Sequence, residues 1–163
     1  MGSPLEGLYD LNPAKPDIHQ GAGTFGAARR SRNNVMTHHA GIDIKAPIGT
    51  PVHAAEPGRV VRADGTDHKG YGNQVLVLHP DGRMTRYAHL REFGVKVGDQ
   101  VQQGQSLGAT GVSGNPSTQK GSDPHLHYEV IVHGKPVNPD FYSDRPERGG
   151  LDPRTWDRVF GDG

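Results

Sequence analysis

The chain has no cysteine, which excludes a disulfide scaffold and any thiolate-built metal site. Oxidising compartments do not demand cysteine, so its absence leaves an extracellular location open. Net charge is lacking too, because 18 Lys and Arg balance 18 Asp and Glu. Nucleic-acid-binding domains normally carry a basic excess or patch, so bulk charge gives no support for such a partner. No apolar run approaches the roughly 20 residues needed for a membrane-spanning helix. The chain opens without the charged and apolar pattern of a secretory leader, which leaves the route of any export open. Helical periodicity is also missing: no window of a dozen residues before the tail places apolar side chains on one helical face.

What the 163 residues do contain is glycine and proline, at 24 and 13, together with ten histidines. So much glycine and proline approaches the composition of disordered chains, but low apolar content gives disorder mainly alongside high net charge. A folded, turn-rich domain with a modest core is expected. Residues 1–23 mix Pro, Asp, Gly and Ala without a period and read as an arm or linker. Residues 24–142 form the domain. Residues 143–163 form a charged, Gly- and Pro-rich tail with room for one short helix over Pro153 to Phe160.

Within the domain, strand-like segments follow one another closely. Thr50 to Ala55 and Gly58 to Ala63 flank a Glu56-Pro57-Gly58 turn. Asn73 to His79 is followed by Pro80-Asp81-Gly82 and by Met84 to Leu90, and both pairs have the form of hairpins. Gly94 to Val101 alternates Val with polar residues, Ser106 to Val112 is a short Gly-flanked strand, and His125 to His133 is the longest alternating run. The expected fold is all-β. The loop from Gly111 to Pro124 is long and polar, as functional loops inside compact domains tend to be.

Three segments carry chemistry. His38-His39-Ala40-Gly41-Ile42-Asp43 contains an H-x-x-x-D spacing, Tyr87-Ala88-His89-Leu90 closes a strand, and His125-Leu126-His127 lies within the long alternating run. On a strand, His125 and His127 share one face about 7 Å apart, while Leu126, Tyr128 and Val130 turn to the other, apolar face. Without thiols, a transition-metal site here must use imidazole and carboxylate. Two histidines and one aspartate would leave a zinc ion one open position, as catalytic rather than structural zinc sites do. An H-x-H pair alone is a weak signal, and so is H-x-x-x-D alone. Their combination with a third histidine at a strand end is more specific.

These segments resemble the lysostaphin/LytM-type zinc metallopeptidases, which cut peptide bonds in bacterial peptidoglycan. The resemblance runs from about Thr24 to Tyr142. It covers TFGAAR (Thr24 to Arg29), HHAGIDIKAPIGTPVHAAEPGRVV (His38 to Val61), GYGNQVLVLH (Gly70 to His79), RYAHL (Arg86 to Leu90), VKVGDQVQQGQSLGATG (Val95 to Gly111), PHLHYEV (Pro124 to Val130) and GKPVNP (Gly134 to Pro139). It implies an antiparallel β-sandwich of the duplicated hybrid-motif type with an open groove. Carried over residue by residue, it places the ligands of one Zn2+ per chain on His39, Asp43 and His127, with His39 favoured over His38 by the spacing to Asp43. It places the two non-ligand active-site histidines on His89 and His125. The segment Gly111 to Pro124 is longer than the family's usual connection, which bears on groove shape and substrate preference.

The implied activity is zinc-dependent endopeptidase hydrolysis of peptidoglycan crosslinks or stem peptides. A crosslink with D-amino acids is preferred to pentaglycine as the substrate. The periplasm or the extracellular wall is the expected place of action, with no nucleic acid, no membrane span and no obligate protein partner. His125 is the natural general base, since no H-E-x-x-H glutamate is present. His89 is left to orient water, stabilise the oxyanion or hand a proton to the leaving amine. Both are expected to titrate near the ordinary histidine value, with activity falling in mild acid. Glu129 could orient a ligand or substrate or be a plain surface carboxylate, and Asn73 could line the groove or serve a turn. Gly41 is expected to let the backbone pass close to the metal. His19, His53, His68, His79 and His133 read as surface or packing residues. Two rival readings are a non-catalytic peptidoglycan-binding or amidase-activating module on the same fold and a histidine phosphocarrier like the glucose-type IIA domains. The second has no use for a ligand aspartate beside H-L-H. A lipoyl- or biotinyl-type carrier is suggested only by Val95 to Gly108, and no lysine-bearing hairpin accompanies that segment.

Overall fold

The computed structural model describes residues 4–5, 26, 28–30, 36–114 and 124–139. The tail helix expected at Pro153 to Phe160, residues 115–123 of the long loop and most of the N-terminal arm lie outside the described residues. Eleven strands follow in order: β1 (Ala28–Arg30), β2 (Met36–His38), β3 (Ile42–Lys45), β4 (Pro51–His53), β5 (Gly58–Asp67), β6 (Gly72–Leu78), β7 (Met84–Phe93), β8 (Gln100–Val101), β9 (Ser106–Thr110), β10 (His125–Val132) and β11 (Lys135–Val137). Every pairing among them is antiparallel. No α-helix occurs among the described residues, so the all-β expectation holds.

Nine strands form one sheet with the path β11-β10-β7-β6-β5-β8, to which β3 adds beside β10 and the β4–β9 pair adds beside β7. Strand β7 is the organiser. Its first half runs between β6 and β10, and its second half, from Leu90 on, pairs with β9. Val52 of β4 and Leu107 of β9 are fully buried in one cluster with Val60, Val75, Val77, Tyr87, Leu126 and Tyr128. A single flat layer could not bury all of these, so β4–β9 folds over the apolar face of the larger sheet. Each fully buried Val, Leu or Ile contributes roughly 1.5–3 kcal/mol relative to exposure. Leu5 joins the same cluster and bridges Val52 in antiparallel fashion.

The β6–β7 hairpin forms as expected, with Leu78 opposite Met84 and Gly82 at φ 91 in the turn. The other expected hairpin does not form. β4 pairs with β9, and β5 pairs with β6 and β8. The Glu56-Pro57-Gly58 segment is a corner between layers, held by His79 Nδ1–H donating to the Pro57 carbonyl at 2.8 Å. The alternating run Gly94 to Val101 also yields a strand only at Gln100–Val101. A tight turn intervenes, with Gly98 at φ 99 and the Asp99 carboxylate accepting from Lys96 N–H at 3.0 Å.

Candidate functional site

Strand pairing places the first two groups. In the β3–β10 ladder, Asp43 lies directly opposite His127, so their side chains leave the sheet on the same face, with Cβ atoms about 5 Å apart. His39 precedes β3, four residues before Asp43. The close approach at Gly41 differs from expectation. A Cβ there would lie 2.2 Å from the Tyr128 carbonyl oxygen, so the glycine serves β3–β10 packing rather than clearance for an ion.

The result is a triangle of ligand-type atoms. His39 Nε2 is 3.0 Å from His127 Nδ1, His39 Nε2 is 3.2 Å from Asp43 Oδ1, and His127 Nδ1 is 3.1 Å from the same oxygen. All three residues are buried. Tetrahedral coordination with bonds near 2.0–2.1 Å requires ligand atoms about 3.3 Å apart, so the donor set fits zinc. Burial by itself would raise the Asp43 pKa, but hydrogen bonds with His127 and His39 outweigh it and hold the carboxyl far below the ordinary range. For His127, burial acts downward, and the bonds to Asp43 and Glu129 more than reverse it.

The other two histidines stand beside this triangle. His125 is 1 % exposed, and its Nε2 is 3.5 Å from Asp43 Oδ1. Its ring meets that of His89 edge-on at 5.5 Å between centroids, and His89 is 5.7 Å from His127 in the same way. Simple alternation along β7 would not place His89 here. Tyr87 faces the core and Ala88 lies opposite His127, so the next side chain should return to the core. Instead His89 adopts φ 60 and is re-aimed to the site face, and Leu90 takes the core position. A left-handed conformation at a non-glycine costs of order 1–3 kcal/mol and persists only where surroundings enforce it. Burial and the neighbouring His127 push the His89 pKa down to about 4. This departs from the expected near-neutral titration, and His89 stays uncharged through mild acid.

Glu129 proves to be no surface carboxylate, at 1 % exposure. Its Oε2 faces His127 Nε2 at 3.5 Å, on the side of the ring away from the triangle. Tyr71 Oη–H donates to Glu129 Oε1 at 3.0 Å, Arg86 Nη1 donates to Oε2 at 3.1 Å, and the guanidinium lies 4.2 Å over the Tyr71 ring. All eight residues of β10 are buried, so its polar face is enclosed as fully as its apolar one. Asn73 turns to the backbone, where its Nδ2 donates to the Leu90 and Arg91 carbonyls, each at 3.1 Å. Sequence reasoning passed over Tyr71, Arg86 and Ser113, whose carbonyl accepts from His89 Nδ1–H at 2.8 Å. An arginine and a tyrosine on neighbouring strands give no pattern, and Ser113 sits in a Gly-rich stretch without a period.

The model of peptidase family M23 matches residues 37–139, the segment that holds the whole cluster. The chain belongs to peptidase family M23. Among curated proteins this M23 chain is similar to the peptidoglycan DD-endopeptidase ShyA of Vibrio cholerae, with 44% identity over 100 residues. That match covers 61% of the chain but only 22% of ShyA, so the M23 chain spans about a fifth of that relative's length. Among solved structures it is similar to a zinc-containing peptidase from Vibrio cholerae, with TM-score 0.62 and 31% identity over 79% of this chain and 38% of that one. It is also similar to the catalytic domain of the antimicrobial peptidase lysostaphin from Staphylococcus simulans, with TM-score 0.61 and 31% identity over 79% of this chain and 91% of the lysostaphin domain.

Proposed function

We propose that the chain is a zinc-dependent endopeptidase acting on the peptide crosslinks of bacterial peptidoglycan, in the periplasm or the extracellular wall. The observation that carries this reading is the triangle of His39 Nε2, Asp43 Oδ1 and His127 Nδ1, each pair 3.0–3.2 Å apart, with two further buried histidines beside it. Those three residues would hold the ion, one Zn2+ per chain. The chemistry contributed by zinc when bound is Lewis acidity toward a peptide carbonyl and acidification of water.

The chain's own residues supply the rest. His125, on the same strand face as His127, is placed to take the proton of the attacking water. Neutral His89, its Nδ1–H committed to the Ser113 carbonyl, keeps Nε2 as an acceptor for the site, where it can orient that water. Whichever histidine ends the step protonated can deliver that proton to the leaving amine. Asp43, held ionised, offers His125 a charge partner at 3.5 Å when its ring becomes cationic. Family membership and similarity to a DD-endopeptidase over the site-bearing segment support a crosslink of D-amino acids over a glycine bridge.

Digestion of purified peptidoglycans of both chemotypes, with products identified by mass spectrometry, tests this. New amino termini from the D-amino-acid crosslink are expected, abolished by chelator and restored by zinc. His125→Ala is expected to keep its zinc and lose about 10²- to 10⁴-fold in kcat, the range of a positioned acid–base group. Stoichiometric zinc without release of amino groups from either wall type would instead favour a non-catalytic binding or activator module.

A further inference from the structure

We propose that Ser113, buckled in place by Asn73, is the positioning residue that sets the tautomer and aim of His89. This deepens the peptidase reading and rests on it for its kinetic consequence only. His89 leaves the normal strand path at φ 60, and the bonds that hold it there come from two other segments. Its backbone N–H donates to the Tyr71 carbonyl at 2.8 Å. Its ring Nδ1 meets the Ser113 carbonyl at 2.8 Å. A carbonyl can only accept, so Nδ1 carries the proton and Nε2 is the nitrogen left for the site.

The Ser113 carbonyl is itself fixed. Ser113 Oγ–H donates to the Leu90 carbonyl at 2.6 Å, and the same oxygen accepts from Asn73 N–H at 2.9 Å. The Asn73 side chain closes the ring of bonds by donating to the Leu90 and Arg91 carbonyls. The two segments touch backbone to backbone. A Cβ on Gly72 would lie 2.4 Å from Gly114 N, and one on Gly114 would lie 2.4 Å from Gly72 N, so neither strip can slide without opening the contact. Register shifts occur on both sides of β7 here, at Asn73/Val75 and at Leu90/Glu92. They release the ladder bonds that would otherwise hold His89 in alternation. The Asn73–Ser113 buckle thus replaces ladder pairing with side-chain bonds at the one place where the strand must present a histidine out of turn.

The test uses Ser113→Ala, Ser113→Thr and Asn73→Asp in the zinc-loaded chain. Long-range proton–nitrogen NMR at neutral pH reads which ring nitrogen of His89 is protonated. The parent chain is expected to show the Nδ1–H tautomer alone. Ser113→Ala and Asn73→Asp should each show a mixture, with kcat on a crosslinked muropeptide lower by about tenfold or more and KM within about twofold. Ser113→Thr, which keeps the hydroxyl, should restore both. A pure Nδ1–H signal in both disrupted variants would overturn the proposal, as would a kcat loss in Ser113→Ala that Ser113→Thr fails to rescue. A variant that does not fold is judged through the other two, and the parent spectrum alone refutes the idea if it shows Nε2–H. Absence of hydrolysis by the parent chain would sink the peptidase reading, while the tautomer comparison would still decide on the buckle.

Discussion

At the scale of single residues, one carboxylate oxygen organises the site. Asp43 Oδ1 lies within 3.1–3.5 Å of nitrogens from His39, His127 and His125. A second carboxylate works on the reverse side of His127. Glu129 is compensated by Arg86 and Tyr71, and Tyr71 shows the reciprocal effect, its hydroxyl pushed up to about 12 by burial and the Glu129 charge. Metal-binding histidines commonly give their other N–H to a carboxylate, which fixes ring orientation and raises basicity. His127 Nε2 is buried without a closer hydrogen-bond partner, so Glu129 is the group that can serve it. Glu129→Gln keeps the shape and removes the charge. Zinc affinity, read by competition with a chromophoric chelator, is expected to fall by about tenfold or more, while the metal-free protein, its Arg86 losing the buried carboxylate, should also melt lower. An unaltered affinity would reduce Glu129 to a partner of Arg86.

At the scale of strands, the hairpin β6–β7 encloses a polar chain remote from the site. Ala55 N–H donates to Tyr87 Oη at 3.0 Å, Tyr87 Oη meets Thr85 Oγ1 at 2.7 Å, and Thr85 Oγ1 meets His79 Nε2 at 2.9 Å. His79 Nδ1–H is committed to the Pro57 carbonyl, so Nε2 accepts and the direction of the whole chain is fixed. A proton on Nε2 would reverse it and strand the Tyr87 hydroxyl hydrogen. Burial lowers the His79 pKa below its ordinary 6.5. The unfolded chain therefore takes up a proton near 6.5 while the native one does not. This contribution is whole above that pH and is lost as pH falls toward the native value, with a slope of at most about 1.4 kcal/mol per pH unit. Denaturant melts between pH 7.5 and 5 should show that slope, and His79→Gln should reduce it by His79's share, leaving the like-signed share of His89. A parallel decline in both proteins would assign the acid sensitivity elsewhere.

The same strands show what a sequence can and cannot disclose. His125 and His127 were readable as a pair because period-two alternation is a local property of one strand, and so was the Leu126, Tyr128 and Val130 stripe. Asp43 opposite His127 follows from ladder register, which the residues alone do not specify and only the family resemblance implies. The β4–β9 pairing was hidden because the Pro57-Gly58 signal describes a bend, and a bend serves a corner as well as a hairpin. His89 was readable as a histidine on a strand but not as one turned out of alternation. That turn depends on Ser113 and Asn73, which meet only after the sheet has closed.

At the scale of the whole molecule, the site doubles as a tie. Its three ligand-type residues come from the segment before β3, from β3 itself and from β10, and β10 is the strand that joins β3 and β11 to β7. An ion held by all three binds the native arrangement and not an unfolded chain, in which His39 and His127 are separated by 88 positions. Mass action then stabilises the fold by about 2.7 kcal/mol when free zinc stands at 100 times its dissociation constant. For a domain of this size each kcal/mol moves the melting temperature by roughly 2–4 °C. Calorimetry should therefore find the zinc-loaded chain melting roughly 5–10 °C above the chelator-treated one. The shift should grow with the logarithm of free zinc and vanish in Asp43→Asn, while His89→Ala should retain it in full. Equal loss of the shift in both variants would mean that the ion sits nearer β7 than the triangle of His39, Asp43 and His127. No shift in the parent chain would mean that the cluster is held by its own hydrogen bonds and not by a cation.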